Sequence, residues 1–279
     1  MYVYLEPQGG LNDCMDLINL LLDYCNKYNR ILLINGLKSE YVINFSDYFE
    51  FSNHNIICDT NEVIKICNNM SYSVYPEILK HKMHEILHGK RCFSFSLPEY
   101  TCIYNGVQLD LPQMHRDEKI IVYARCGYAN DGYKMFRQLN ISTNIKNVCK
   151  RRYNLLKKPY LSIHVRNTDY KCDYESLYYN NRDLIHSYKD VYLATDDKTV
   201  IGFFKSKGLP IQNFTTFPKG DYYNLHHSEV SSNTKMVDLF CDIYMIAMSE
   251  KLISNSMGGF INLVRSCKNN PHEVFYQFQ

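Results

Sequence analysis

Hydrophobic positions change period several times along the chain, and each change marks an element. Residues 2–6 (YVYLE) alternate and carry β-rich side chains, which predicts a strand. The glycine loop QGGLND (8–13) follows, and residues 14–29 then set Met15, Ile18, Leu21, Leu22 and Cys25 on one helical face. A short apolar run, ILLIN (31–35), closed by Gly36, predicts the next strand. Strand, helix, strand is a βαβ unit, which implies a parallel sheet with helices on its faces.

Residues 37–150 are less regular. NIICDT (55–60) predicts a strand, and a helix runs from Pro76 to Gly89. FSFSLPEY and TCIYNGVQLDLP predict loops or short strands, IIVYARC (120–126) a strand, and residues 134–156 helical stretches with a basic end. Pro159 breaks that pattern and a strand begins at once, so a domain boundary is expected near KKPYLS, between 1–157 and 158–279. Beyond it the rhythm is clear. Strands are predicted at 160–165, 190–195, in LPIQNF and at 251–255, with helices at 197–208, 233–249 and 256–267. The fold class is therefore α/β, with two Rossmann-like halves that hold ligands at the carboxyl ends of their strands.

Composition narrows this picture. A chain of 279 residues, 46% hydrophobic and 22% charged, is long enough and apolar enough for a substantial core. A formal net charge of +2 gives no bulk attraction for nucleic acid or an anionic membrane. The 11 cysteines are scattered without a CxxC pair, which predicts reduced thiols in a cytosol-like compartment rather than a disulfide framework. No apolar run approaches the roughly 18 residues of a membrane span, and the N-terminus lacks a signal-peptide pattern, so a cytoplasmic location is expected.

Polar residues interrupt the apolar pattern at places that could carry chemistry. Glycines before a helix, as in QGGLND, let backbone N–H groups approach an anion, though a plain tight turn needs the same residues. In LSIHVRNTDY (161–170) the strand ends on His164, Arg166, Thr168 and Asp169. That set can grip a diphosphate through Arg166, or form a strand-end salt bridge with Asp169 over a satisfied core histidine. Asp238 and Asp242 share one face of an otherwise apolar helix, either as solvent-facing residues or as partners of a ligand or base. LISNSMGG then offers a second glycine turn before a helix. YLATDD ends a strand on Asp196 and Asp197, where a helix N-cap competes with a metal-ligating pair.

HEILH (84–88) matches a zinc-protease pattern. Its histidines fall with Glu77 and His81 on a stripe opposite Ile78, Leu79, Met83, Ile86 and Leu87, which predicts a solvent-facing surface. No GxSxG elbow or helix-start cysteine offers a nucleophile.

Taken in order, GGLND, HVRNTDY, YLATDD and DIYMIAMSEKLISNSMGG resemble the motifs of the fucosyltransferase-like GT-B glycosyltransferases, a superfamily of α1,2-, α1,6- and protein O-fucosyltransferases. The likeness spans most of the chain but leaves 37–150 uncovered. It implies two Rossmann-like domains facing a central crevice, acceptor-side (1–157) and nucleotide-sugar-binding (158–279). It implies that Arg166 holds the donor's β-phosphate, that His164 and Asp242 contact its base, and that Asp169 and Asp196 help orient the donor. Gly10, Leu11 and Asn12, with Asn255, Ser256 and Gly258, would line the diphosphate. Inverting transfer from GDP-fucose or UDP-xylose to an oligosaccharide acceptor follows, with Asp13, Asp173 or Glu175 as the base and no cofactor or metal. Asn167 departs from the family's usual second Arg, which opens the xylosyl alternative. The chain also resembles compact glycosyltransferases of large DNA viruses. A non-catalytic nucleotide- or glycan-binding module on the same fold is the reading from another class.

Overall fold

A computed structural model describes the chain apart from residues 70, 89–93, 97–100, 105, 126–130, 226 and 279 and the side chains of 94–96 and 101. The predicted helix end at Gly89 and the last residue of IIVYARC, Cys126, lie outside the described residues. Two units emerge, Met1–Asn140 and Ile141–Gln279.

In the first unit the strand Tyr2–Pro7 lies between Ile31–Ile34 and Ile120–Arg125, parallel to both, with Ile56–Ile57 parallel beyond Ile31–Ile34. Thr101–Tyr104 adds on antiparallel beyond Ile120–Arg125. Tyr4, Leu33, Ile120, Val122 and Ala124 turn one sheet face toward Val63, Leu79, Met83, Ile86 and Leu87, forming a dry cluster. Burial of such side chains contributes about 1.5–3 kcal/mol each and fixes the register of the sheet.

The predicted helix at 76–89 divides into a 3-10 turn, Glu77–Lys82, and a short α-helix, Met83–His88. His81, His84 and His88 face solvent as expected, but Ile78 is exposed too, because the tighter turn rotates it off the apolar arc. The first helix, Leu11–Tyr28, starts before the apolar stripe does: Gly10 is its N-cap, and the Asp13 carboxylate accepts from the Gly10 amide at 3.0 Å.

The second unit holds Ile211–Gln212, Val191–Thr195, Leu161–Val165 and Lys251–Ile253 in that order, all parallel. Leu161, Ile163, Val165, Val191 and Leu193 pack with Leu177, Ile185, Val200 and Phe204 on one face. Ser162, His164, Tyr192 and Ala194 point the other way, so the sheet is covered on both sides and reads as continuous hydrophobic runs.

The helix Thr143–Tyr153, placed by the proline signal in the first half, groups with the second unit. Its Cys149 Sγ lies 3.4 Å from Cys241 Sγ, and Arg152 pairs with Asp238 at 2.7 Å, both partners on the helix Ser232–Met248. Cysteines among the described residues are buried and free of disulfides, acting as small apolar fillers. No described helix is long and apolar enough to cross a membrane.

Candidate functional site

In the second sheet the chain winds outward from Leu161–Val165 to Ile211–Gln212 and then returns on the other side as Lys251–Ile253. The switch point therefore lies between Leu161–Val165 and Lys251–Ile253, where open α/β sheets bind ligands beyond the strand ends. Two loops leave there side by side. The Arg166 amide donates to Ser256 Oγ at 3.0 Å, the Ser256 amide donates to Ser254 Oγ at 3.1 Å, and Cys172 Sγ lies 3.1 Å from Ser256 Oγ. Ser256 is buried, so its hydroxyl binds the loops together, while Asn255 and Gly258 are exposed beside it. Gly258 has φ +121°, a left-handed conformation that favours glycine, and a Cβ there would lie 3.6 Å from Arg166 Nη1. The helix Gly259–Asn269 starts at once, presenting its first amides at this point.

Arg166 is held by a bidentate pair: its Nε donates to Asp169 Oδ1 at 2.9 Å and its Nη2 to Oδ2 at 2.6 Å. The strand-end salt bridge expected of this pair is present, and it holds the arginine beside the loop. The guanidinium keeps 35% of its side-chain surface exposed.

In YLATDD both carboxylates have partners within the fold. Asp197 caps the helix Lys198–Ser206, accepting from the Thr199 amide at 2.8 Å. Asp196 accepts from the Asn167 amide at 2.7 Å and from Thr168 Oγ1 at 2.6 Å, and Tyr222 donates to its carbonyl at 2.8 Å. Asn167 is buried and donates through Nδ2 to Asp197 at 2.7 Å. The residue that replaces the second arginine serves the loop and does not project as a ligand.

His164 is buried, with Nδ1 3.2 Å from Ser254 Oγ and its ring tilted on Phe260 at 5.1 Å. Burial, with Arg166 and Arg265 nearby, lowers its pKa to about 3, so the imidazole is neutral at physiological pH. Asp242 is half-buried on the helix Ser232–Met248. It accepts from the Tyr192 hydroxyl, and Tyr192 is the register partner of Ser162, two positions back from His164 along the strand. Burial raises its pKa to about 7, with Asp238 adding to the shift and Tyr192 and Arg152 opposing it. Asp238 is buried, pairing with Arg152 and accepting from the Thr216 amide at 2.7 Å. The solvent-facing reading of these two carboxylates is therefore corrected: a basic partner reaching across from the Thr143–Tyr153 helix compensates them.

Of the base candidates, Asp173 is exposed and caps the helix Tyr174–Asn180, accepting from Ser176 at 2.9 Å, which holds its pKa below the ordinary value. Glu175 is exposed in the first turn of that helix.

In the first unit the switch point falls between Tyr2–Pro7 and Ile120–Arg125. There Gly9 has φ +84°, and Leu11, Asn12 and Asp13 form the first helical turn. Asn12 is buried with Nδ2 unpartnered among the described residues. A Cβ added to Gly132 would lie 2.4 Å from the Asn12 carbonyl oxygen. Gly132→Ala is thus expected to destabilise the protein by about 1–3 kcal/mol and to displace this turn; urea unfolding checks it, and wild-type stability would refute the contact.

Sequence reasoning missed a buried polar cluster under the same strand ends. Tyr4 donates to Glu6 Oε1 at 3.1 Å, and Asn35 donates to Tyr4 at 3.0 Å; Glu6, Gln8 and Asn35 are all buried. The signal was a glutamate closing the apolar run YVYL.

No family model and no curated protein matches the sequence. Solved structures do match. NodZ alpha-1,6-fucosyltransferase soaked with GDP-fucose superposes with TM-score 0.61 at 15% identity, over 95% of this chain and 91% of that one. Fucosyltransferase NodZ from Bradyrhizobium gives 0.58 at 14% identity over the same shares. The apo form of POFUT1 gives 0.59 at 12% identity, over 97% and 95%. The chain has the α/β, GT-B fold of the fucosyltransferase-like glycosyltransferases.

Proposed function

We propose that the protein is a nucleotide-sugar-dependent glycosyltransferase that moves fucose from GDP-L-fucose to a saccharide hydroxyl with inversion. The observation that carries the reading is Arg166, fixed by Asp169 at the switch point of a sheet whose fold is that of fucosyltransferases. Structures of those neighbours hold GDP-fucose or GDP.

As the glycosidic bond to the diphosphate breaks, charge builds on the leaving phosphate. A preorganised guanidinium and the amides at the start of the helix Gly259–Asn269 stabilise it without reorganising. Asn255 and Gly258 line the same turn, His164 offers a neutral ring to the base, and Asp196 keeps the Arg166 loop in shape. The acceptor proton passes to a carboxylate, Asp13, Asp173 or Glu175, and substitution by Asn or Gln at each identifies which. Asp242, half-buried on the helix Ser232–Met248 and held by Tyr192, would contact the base with His164.

Asn167 supports a second reading, transfer of xylose from UDP-xylose, because the donor loop carries one cation fewer than the family it resembles.

A thermal-shift comparison of GDP, UDP and their sugars tests both. A ligand at about 100 times its Kd stabilises the native state by about 2.7 kcal/mol. GDP and GDP-fucose are expected to raise Tm, and UDP not. A response to UDP alone favours the xylosyl reading, binding without donor turnover favours a non-catalytic module, and no response to any nucleotide removes the proposal.

A further inference from the structure

The formal charge of +2 hides an uneven distribution. Between Asp131 and Asp169 the sequence holds nine Lys and Arg residues and no Asp or Glu, which leaves 22 basic against 29 acidic side chains in the rest of the chain. A run of one sign is often only a solvated surface, so its meaning depends on where the fold puts the charges.

Six of the nine lie on the helix Thr143–Tyr153 and the turn behind it, in the second unit. Ile145, Cys149 and Leu156 are buried and Arg152 reaches inward to Asp238 at 2.7 Å, which sets the inner face of the helix. Lys146 and Lys150, one turn apart, flank that face with partly covered stems, and Arg151 is exposed. Behind the helix the Lys157 amide donates to Asp190 at 2.6 Å, and Lys158 Nζ lies 3.6 Å from the centre of the Tyr153 ring. These contacts hold the turn against the helix end, so the exposed Lys157 and Lys158 extend the basic surface past it. Among the described residues none of these five side chains forms an ion pair. The neighbouring carboxylates, Asp190 and Asp238, are buried and already hold inward partners.

Leu155 stands within the run, between Arg151 and Lys157, and is 62% exposed. A nucleic acid would meet such a basic surface with phosphates and stacking bases, and an aliphatic side chain serves neither. The interface of an anionic bilayer suits both parts of the surface. Its headgroups attract the cations, and an aliphatic chain gains by entering the acyl boundary between them.

We infer that the helix Thr143–Tyr153 and the turn to Lys158 form a docking surface for an anionic phospholipid bilayer. Lys146, Lys150, Arg151, Lys157 and Lys158 lie against the headgroups, and Leu155 inserts among them. Such docking needs neither donor nor acceptor and stands apart from the glycosyltransferase reading.

Vesicle cosedimentation of the full chain at about 0.1 M salt tests it, comparing phosphatidylcholine alone with phosphatidylcholine carrying about 30 mol% phosphatidylserine. Wild type is expected to sediment with the anionic vesicles and not with the neutral ones, and to be released as salt rises to about 0.5 M. Lys150→Gln combined with Arg151→Gln is expected to weaken partitioning about 20-fold. Leu155→Ala should weaken it about three- to ten-fold. Both variants are checked for an unchanged melting curve. Lys65→Gln combined with Lys80→Gln removes the same charge from exposed positions of the first unit and is expected to bind as wild type does. Equal losses in the two double variants would show that net charge alone drives the contact, and would overturn the surface. Failure of wild type to sediment with anionic vesicles overturns it too, as does binding to a short DNA duplex without binding to vesicles.

Discussion

Arg166→Ala is expected to lower sugar transfer about a hundred- to thousand-fold while leaving the melting temperature nearly unchanged. The two halves of this outcome come from different physics. Arg166 and Asp169 form a partly exposed ion pair three residues apart, with 35% and 24% of their side-chain surfaces open. Such a pair contributes about 0–1 kcal/mol to stability, because water screens it and both chains lose rotamer freedom. Its value lies in position. The pair holds a guanidinium past the end of the strand Leu161–Val165, beside the open turn at Gly258. A cation fixed before the reaction stabilises developing phosphate charge without the reorganisation that water would need. Arg166→Lys should recover only part of the rate, because an ammonium cannot form the forked contact. Initial rates of nucleotide release from donor, measured beside thermal melts, separate the two effects. Transfer within a few-fold of wild type would remove Arg166 from the site.

The sequence announces this arginine better than it announces what surrounds it. Strand periodicity places His164 and Arg166 at the mouth of a buried strand, and the glycines of SNSMGG announce a turn before a helix. Those signals are local, and local signals survive folding. What Asn167, Asp196 and Asp238 do is set by residues distant in sequence. Asn167 and Thr168 reach Asp196 and Asp197 across about thirty positions, and Asp238 is neutralised by Arg152 from a helix that the proline signal assigns to the other half. Both Asp238 and Asp242 look exposed on a helical wheel because the wheel carries no partner. The boundary expected near Pro159 differs from the division between Asn140 and Ile141 for the same reason. A proline ends a helix locally, but whether the preceding helix joins one core or the next is decided by packing, here Cys149 and Arg152 against Ser232–Met248.

The pH dependence of stability is expected to reverse sign between two single variants of the second unit. His164 has an ordinary pKa of 6.5 and a folded one of about 3. Below 6.5 the unfolded chain binds a proton that the native ring refuses, so this group makes stability rise with pH from about 3 to about 6.5. Asp242 moves from an ordinary 3.8 to about 7. Between those values the native carboxyl keeps a proton that the unfolded chain has released, so its contribution is present at low pH and is lost as pH rises toward 7. Each slope approaches about 1.4 kcal/mol per pH unit, and over about pH 4–6.5 they oppose one another. In wild type the two largely cancel, which hides both. His164→Gln leaves only the Asp242 term, and unfolding free energy should fall with pH. Asp242→Asn leaves only the His164 term, and it should rise. Charges facing these groups, Arg166 and Arg265 near His164 and Asp238 and Arg152 near Asp242, are common to all three proteins and drop out of the comparison. Urea unfolding at several pH values reads the slopes directly. Parallel slopes in the two variants would mean that neither group is as deeply desolvated as the packing of Phe260 on His164 and of Tyr192 on Asp242 requires. Opposed slopes would show that the second unit holds a neutral imidazole on a strand and a protonated carboxyl on the helix packed against that sheet, an arrangement that only a closely packed face can maintain.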